Sequence, residues 1–342
     1  MMRMSFRFMT ALLFALPVAA PLPALAWGNT GHRYIGLVAA KNFPVAIPAF
    51  LRTPEAIREI GEMAREPDRS RNTGQPHDFD LDPGHQVDGM DDGTVLGGPR
   101  LDALPASRRD FDTALRAAGS NEYAAGYLPY NLMDGWEQLV KDFATWRADV
   151  AGMKFGATKA DRQWYTLDRR VRETLTLRDL GYWAHFVGDA SQPLHVTVHY
   201  NGWGDYPNPQ GFETATGLHA KFETAFVEAN ITQADIAAAM RPYRDCACTI
   251  QQRTQDYLVN TLSLVNQTYQ FEKDGAYDKP TPQSKAFVTQ RIAEAAAMLR
   301  DLVSDAWRAS DDSLIGYQHK IPLKDVEAGK ADPAILLHEM QD

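Results

Sequence analysis

The chain has 342 residues, 44% of them hydrophobic, with 35 Lys+Arg against 44 Asp+Glu and a formal net charge of −9. That length and apolar content support one sizeable core, and no linker-like stretch divides it. The acidic balance excludes binding of nucleic acid through the overall field, so a polyanionic substrate would need a local positive source.

The first element in chain order is Met1 to Ala26. It has a basic head at Arg3 and Arg7, an apolar run around Ala11 to Leu16, and the exit Ala24-Leu25-Ala26. This is the layout of a secretory signal peptide, and the run is too short and too broken by Pro17, Pro21 and Pro23 to span a bilayer. The expectation is a periplasmic or secreted protein whose mature N-terminus is Trp27. Helical signals then mark residues 31–43, 53–65, 107–118, 122–150 and 159–190, with Pro129 breaking or kinking the fourth. Further helices are expected over 218–229, 249–272 and 282–309. Strand signals are scarce, Val196-Thr197-Val198 being the best case. Residues 66–100 and 199–217 are rich in Asp, Asn, Gly and Pro and read as long loops. The fold class is all-α: a single mainly helical domain over 27–309, followed by an extension, 310–342, of no evident role.

Two cysteines, Cys246 and Cys248, are too few for a disulfide framework, and a C-x-C ring closes almost no chain entropy. As metal ligands they lack partners at suitable spacing. The nine histidines are more informative. His185 and Asp189 stand at i, i+4 on one helical face, His195 follows six residues later, and His219 and Glu223 repeat the i, i+4 pairing. One such pair is ordinary surface chemistry. Two pairs and a flanking histidine beside a Gly/Pro-rich loop suit a borderline metal such as zinc, which takes imidazole nitrogen with carboxylate oxygen.

Trp27-Gly-Asn-Thr-Gly-His32, Asp68-Arg-Ser-Arg71, His77-Asp-Phe-Asp80, Ala184-His-Phe-Val-Gly-Asp-Ala-Ser-Gln-Pro-Leu-His195 and His219-x3-Glu223 occur in that order. Over Trp27 to about Phe226 the chain resembles the superfamily of single-strand-specific zinc nucleases and zinc-dependent phospholipases C. The resemblance implies a mainly α-helical domain with three zinc ions at the bottom of a cleft. One ion would be held by Trp27, through its α-amine and carbonyl, with His32 and Asp189. A second would be held by Asp68, His77, His185 and a bridging Asp189, and a third by His195, His219 and Glu223. A free α-amine, with a pKa of about 8, can release its proton to a metal near neutral pH, and here it would exist only after cleavage. Arg71 matches an arginine that supports the phosphate. His85 competes with His77 as the ligand, Glu223 replaces the aspartate usual in the nucleases, and Ser191 stands where a histidine is common. Phe79, Trp203 and Tyr206 are candidate substrate contacts, since aromatic faces stack on bases or meet acyl chains.

The resemblance implies a zinc-dependent endonuclease that cuts single-stranded DNA or RNA to 5′-phosphate products, with 3′-nucleotidase activity, working as a monomer. The alternatives are a phospholipase C acting on phosphatidylcholine-like lipids and a zinc-stabilised helical binding protein without turnover. Asp68, Arg71 and Asp189 are the residues expected to carry the chemistry.

Overall fold

A computed structural model describes residues 27–71, 74, 76–316, 320–334 and 336. The expected signal peptide, His319 and His338 lie outside these residues. The described residues are mainly helical, as expected. Leu314–Ile315 pairs antiparallel with Ile321–Pro322 in a two-stranded ribbon, and residues 196–198 form no strand.

In chain order the N-terminal half holds α1 (Gly28–Lys41), α2 (Pro54–Met63), the single turn α3 (Glu66–Arg69) and α4 (Pro76–Leu81). It continues through α5 (Arg108–Ala117) and α6 (Glu122–Ala125) into the long helices α7 (Leu128–Phe155) and α8 (Lys159–Asp189). The C-terminal half holds α9 (Leu218–Ala220), a π-helical turn Lys221–Ala225 and α10 (Phe226–Asn230). It then runs through α11 (Gln233–Ala239), α12 (Ile250–Leu262), α13 (Val265–Lys273), α14 (Pro282–Ala309) and α15 (Leu323–Glu327).

Local chemistry sets the boundaries. The expected helix over 122–150 divides at Gly126, whose φ of +77° no helix interior tolerates, and Pro129 then sits in the first turn of α7, where its missing N–H costs nothing. Thr158 and Asp161 form a reciprocal capping box that starts α8, and Thr281 with Ser284 does the same for α14. The linker between α7 and α8 is only three residues, so the two longest helices fold back on each other as a hairpin. The main core gathers α1, α7, α8, α12 and α14 around Ile35, Phe143, Leu180, Leu258 and Leu299. Beyond Ser310, Ile315, Leu323 and Val326 bury against Ala144, Ala148 and Ala151 of α7.

Candidate metal centre

His32 is the inward-facing residue of the second turn of α1 and is fully buried, its ring stacked on His185 at 3.7 Å. Asp68 comes from α3, and His185 and Asp189 from consecutive turns of α8. His195 closes the short 3-10 turn Pro193–His195, where proline ends the helical run. His219 and Glu223 flank the start of the π-helical turn, a local widening found disproportionately at functional sites.

Three groups of side chains, all buried, place donor atoms close enough to hold a metal ion: His32, His185 and Asp189; Asp68, His85 and His185; His195, His219 and Glu223. Donors sharing a tetrahedral zinc at about 2.0–2.1 Å stand roughly 3.3 Å apart. Here His32 Nε2 is 3.3 Å from Asp189 Oδ1, and His185 Nε2 is 3.4 Å from Asp189 Oδ2. His85 Nδ1 is 3.1 Å from Asp189 Oδ2 and 2.9 Å from His185 Nε2. In the third group His219 Nε2 is 2.8 Å from Glu223 Oε2 and 3.1 Å from His195 Nε2. Asp189 thus turns one oxygen to His32 and the other to His85 and His185, the posture of a bridging carboxylate.

The tautomers agree with this use. His185 Nδ1 lies 2.9 Å from the Ala64 carbonyl, His195 Nδ1 2.7 Å from that of His85, and His219 Nδ1 2.8 Å from that of Tyr200. A carbonyl only accepts, so each Nδ1 carries a proton and each Nε2 is the atom aimed inward, able to bind a cation or to take a second proton. Lone pairs facing each other at 3.1 Å, as in His195 and His219, repel unless a proton or cation sits between them. Gln192 closes this group on one side, its Nε2 donating to Glu223 Oε2 at 3.1 Å. Several further donor atoms, namely both ring nitrogens of His32, Asp68 Oδ2, Asp189 Oδ1 and Glu223 Oε1, are buried without a hydrogen-bond partner. Orphaned buried polar atoms are costly, and a cation held by one donor from each of these residues would offset part of that cost.

The charges point the same way. Burial pushes Asp189 up, but His185 and His195 outweigh it and hold the carboxyl well below the usual range. Burial pushes His195 down, but Asp189 and Glu223 raise it to about 9. Burial lifts the Asp68 carboxyl, with His32 and His85 pulling the other way. Three carboxylates in this cage therefore demand positive charge, from a proton or from a cation.

A second tier of hydrogen bonds fixes the end of α8. Trp27 is fully buried, and its Nε1 donates to Gly188 O at 2.9 Å and lies 3.0 Å from Ser191 Oγ. From α12, Tyr257 Oη donates to Val187 O at 3.0 Å and Thr261 Oγ1 to Ala190 O at 2.8 Å. The last carbonyls of α8, on either side of Asp189, are thus gripped by α12 and by the residue that precedes α1. The Trp27 carbonyl accepts from Gly31 N at 3.0 Å, the first bond of α1.

Several expected residues stand elsewhere. His77 lies on α4 with a side chain 65% exposed, 3.7 Å from Asp78, and takes no part in the three groups; His85 occupies the place expected for it. The cause is the Asp82–His85 turn. A Cβ on Gly84 would meet Asn131 Nδ2 at 2.4 Å, and that amide donates to Gly84 O at 3.0 Å, so α7 pulls the turn, and His85 with it, inward. Trp203, an expected substrate contact, is buried, stacked on His199 at 3.7 Å, with Nε1 donating to Pro207 O. Tyr206 is 37% exposed and Phe79 76%. Arg71 pairs with Asp82 and lies 3.4 Å from Asp68. It lines a cavity of about 180 Å³ together with His85, Arg108, Tyr127, Tyr182 and Phe186. Arg108 stacks over the Tyr127 ring at 3.5 Å. Sequence reasoning passed over Tyr257 and Thr261, whose only signal was their four-residue spacing on an amphipathic helix.

No family model and no curated protein matches the chain. Among solved structures it is similar to the alpha-toxin of Clostridium perfringens isolated from avian strain SWCP. The identity is 12%, the match covers 85% of this chain and 67% of the toxin, and the TM-score is 0.38. A likeness at that score decides neither family nor activity, so the functional reading rests on the side chains.

Proposed function

We propose that this protein is an exported zinc-dependent phosphodiester hydrolase whose first substrate class is single-stranded nucleic acid, cut to 5′-phosphate products. The observation that carries the reading is the joining of two buried donor groups through Asp189, with a third beside them. Adjacent divalent ions are the usual clamp for displacement at phosphorus, and bound zinc supplies Lewis acidity and positive charge at neutral pH. That charge would also offset the repulsion between a polyanion and a chain of net charge −9.

The donor chemistry divides the labour. His185 Nε2 has one lone pair and can serve one ion only, so we assign it to the Asp68 and His85 group, with Asp189 bridging. His32 and Asp189 then need further ligands, and the α-amine and carbonyl of Trp27 are the nearest in sequence. Arg71, beside Asp68 and in the cavity wall, would exchange its Asp82 contact for a phosphate oxygen pair, which suits a guanidinium fork. A second reading, phospholipid hydrolysis, is favoured by one observation: Leu81, in the cavity wall, and Phe79, on the same helix α4, stand exposed, as an acyl-chain contact would.

The test is to purify the processed protein, count zinc and assay single-stranded DNA, RNA and phosphatidylcholine in parallel. We expect three zincs and cleavage of the nucleic acids. Cleavage of lipid alone would transfer the assignment to the second reading, and fewer than two zincs would overturn the centre. Retaining one extra residue before Trp27 should severely reduce zinc binding and hydrolysis; full activity would show that the α-amine is not a ligand.

A further inference from the structure

One reactive pair stands apart from the metal centre. Cys246 and Cys248 are joined in a disulfide, and both are exposed on the segment between α11 and α12. Closing a ring of this size removes almost no entropy from the unfolded chain, so the bond contributes little to stability. Within the ring Ala247 adopts φ +47°, the left-handed region that disfavours any residue with a Cβ. An exposed disulfide whose ring holds a disfavoured backbone is of the labile kind, active in exchange rather than structural. Beside the sulfurs lies a cavity of about 350 Å³, walled by Trp136, Ile250 and Leu302 among others, which shares no residue with the cavity at Arg71 and His85.

We propose that Cys246–Cys248 is a thiol–disulfide exchange site, reduced by a dithiol that docks in this cavity, and that its redox state loosens or tightens the metal centre through α12. The step balances as a two-electron exchange. A thiolate of the dithiol attacks one sulfur, forming a mixed disulfide and releasing the other cysteine as thiolate, which takes up a proton. The second thiol of the reductant then displaces the bound cysteine, leaving two protein thiols and the oxidised reductant. The cavity presents Arg253 and Arg308 against Asp245, Asp305 and Asp312, so it favours a neutral or cationic dithiol over an anionic thiol such as glutathione.

The path to the metal centre runs along α12 and ends in two hydrogen bonds. Cys248 precedes Thr249, whose Oγ1 accepts from Gln252 N at 3.1 Å and caps α12. Arg253, in the first turn, donates to Arg244 O at 2.9 Å, and Arg244 N donates to Asp301 at 3.2 Å, tying both arms of the ring to the helices. The same α12 carries Tyr257 and Thr261, which grip the carbonyls around Asp189. Reduction lets Ala247 leave the left-handed region and slackens the cap. This second half rests on the metal reading above; the exchange site itself does not.

The native, metal-loaded full chain is equilibrated in an equimolar mixture of reduced and oxidised dithiothreitol, alkylated, and weighed. We expect chains with two blocked thiols to outnumber disulfide chains about tenfold. A mostly oxidised population, opened only by denaturant, would overturn the site. The double variant Cys246→Ser/Cys248→Ser mimics the reduced state with no thiol present to compete for zinc. In it, amide exchange over residues 252–255 should quicken several-fold and zinc loss to a chelator about tenfold. Unchanged exchange and zinc loss would overturn the coupling, while a protein with quickened exchange and no zinc would refute the metal reading alone.

Discussion

Asp189→Asn isolates the logic of the centre because it changes charge with almost no change of shape. The residue is fully buried, so the packing of α8 against α1 survives, while one negative charge and an acceptor oxygen are lost. One oxygen of Asp189 lies 3.3 Å from His32 and the other 3.1 and 3.4 Å from His85 and His185, so two of the three groups depend on it. The third, His195, His219 and Glu223, does not count it among its ligands. Zinc content should therefore fall from three ions to one. Losing the adjacent pair removes the charge that a phosphate in transit requires, so hydrolysis should fall on the order of 10³-fold or more. His219→Ala gives the contrast, because it strips the third group only and should leave two ions. The measurements are metal content after dialysis, circular dichroism to establish that the variants fold, and turnover of bis(4-nitrophenyl) phosphate. Three zincs retained in Asp189→Asn, or equal losses in the two variants, would show that Asp189 does not bridge.

Two further outcomes follow from groups outside the ligand set. Burial, then Asp168 nearby, pushes the pKa of the fully buried Asp149 up to about 8 from an ordinary 3.8. The folded state thus holds a proton that the unfolded state has released, so this group's contribution is fully present below about pH 4 and is lost as pH rises towards 8. Asp149→Asn needs no such proton, and its urea stability relative to the parent should rise by about 3 kcal/mol between pH 5 and pH 8; a flat difference would contradict the burial argument. Trp27→Phe deletes the indole N–H between Gly188 O and Ser191 Oγ and leaves a void against Phe222. Ser191 still donates to Gly188 O, so the cost should be about 2–3 kcal/mol, read as a lowered thermal midpoint, and no change would mean that the anchor is idle.

What the sequence revealed and what it concealed divide by the range of the interactions involved. Helix starts were legible where cap and period are local, as for Thr158 with Asp161 and Thr281 with Ser284, whereas Pro129, expected to break or kink a helix over 122–150, stands in the first turn of α7. The single helix expected over 249–272 fails as one element because Ser263 and Leu264 interrupt it, which no proline or glycine advertises. In the site, the i, i+4 pairs His185/Asp189 and His219/Glu223 were legible because the helix itself presents them together. The choice between His77 and His85 was not. Each has an aspartate within three residues and both lie in a polar stretch, so local sequence does not separate them. The difference is made by α7, whose Asn131 binds the Gly84 carbonyl at a distance that excludes any side chain on that glycine. The burial of Trp203 was hidden in the same way: a Gly- and Pro-rich loop looks solvated, yet His199, Phe212 and Tyr269 close around its aromatic side chain. In a metal centre this matters more than elsewhere, because ligands on one helix supply only two corners of each site. The remaining corners come from turns whose position is decided by helices far away in sequence, and a one-site error there moves a donor from the cage to the solvent.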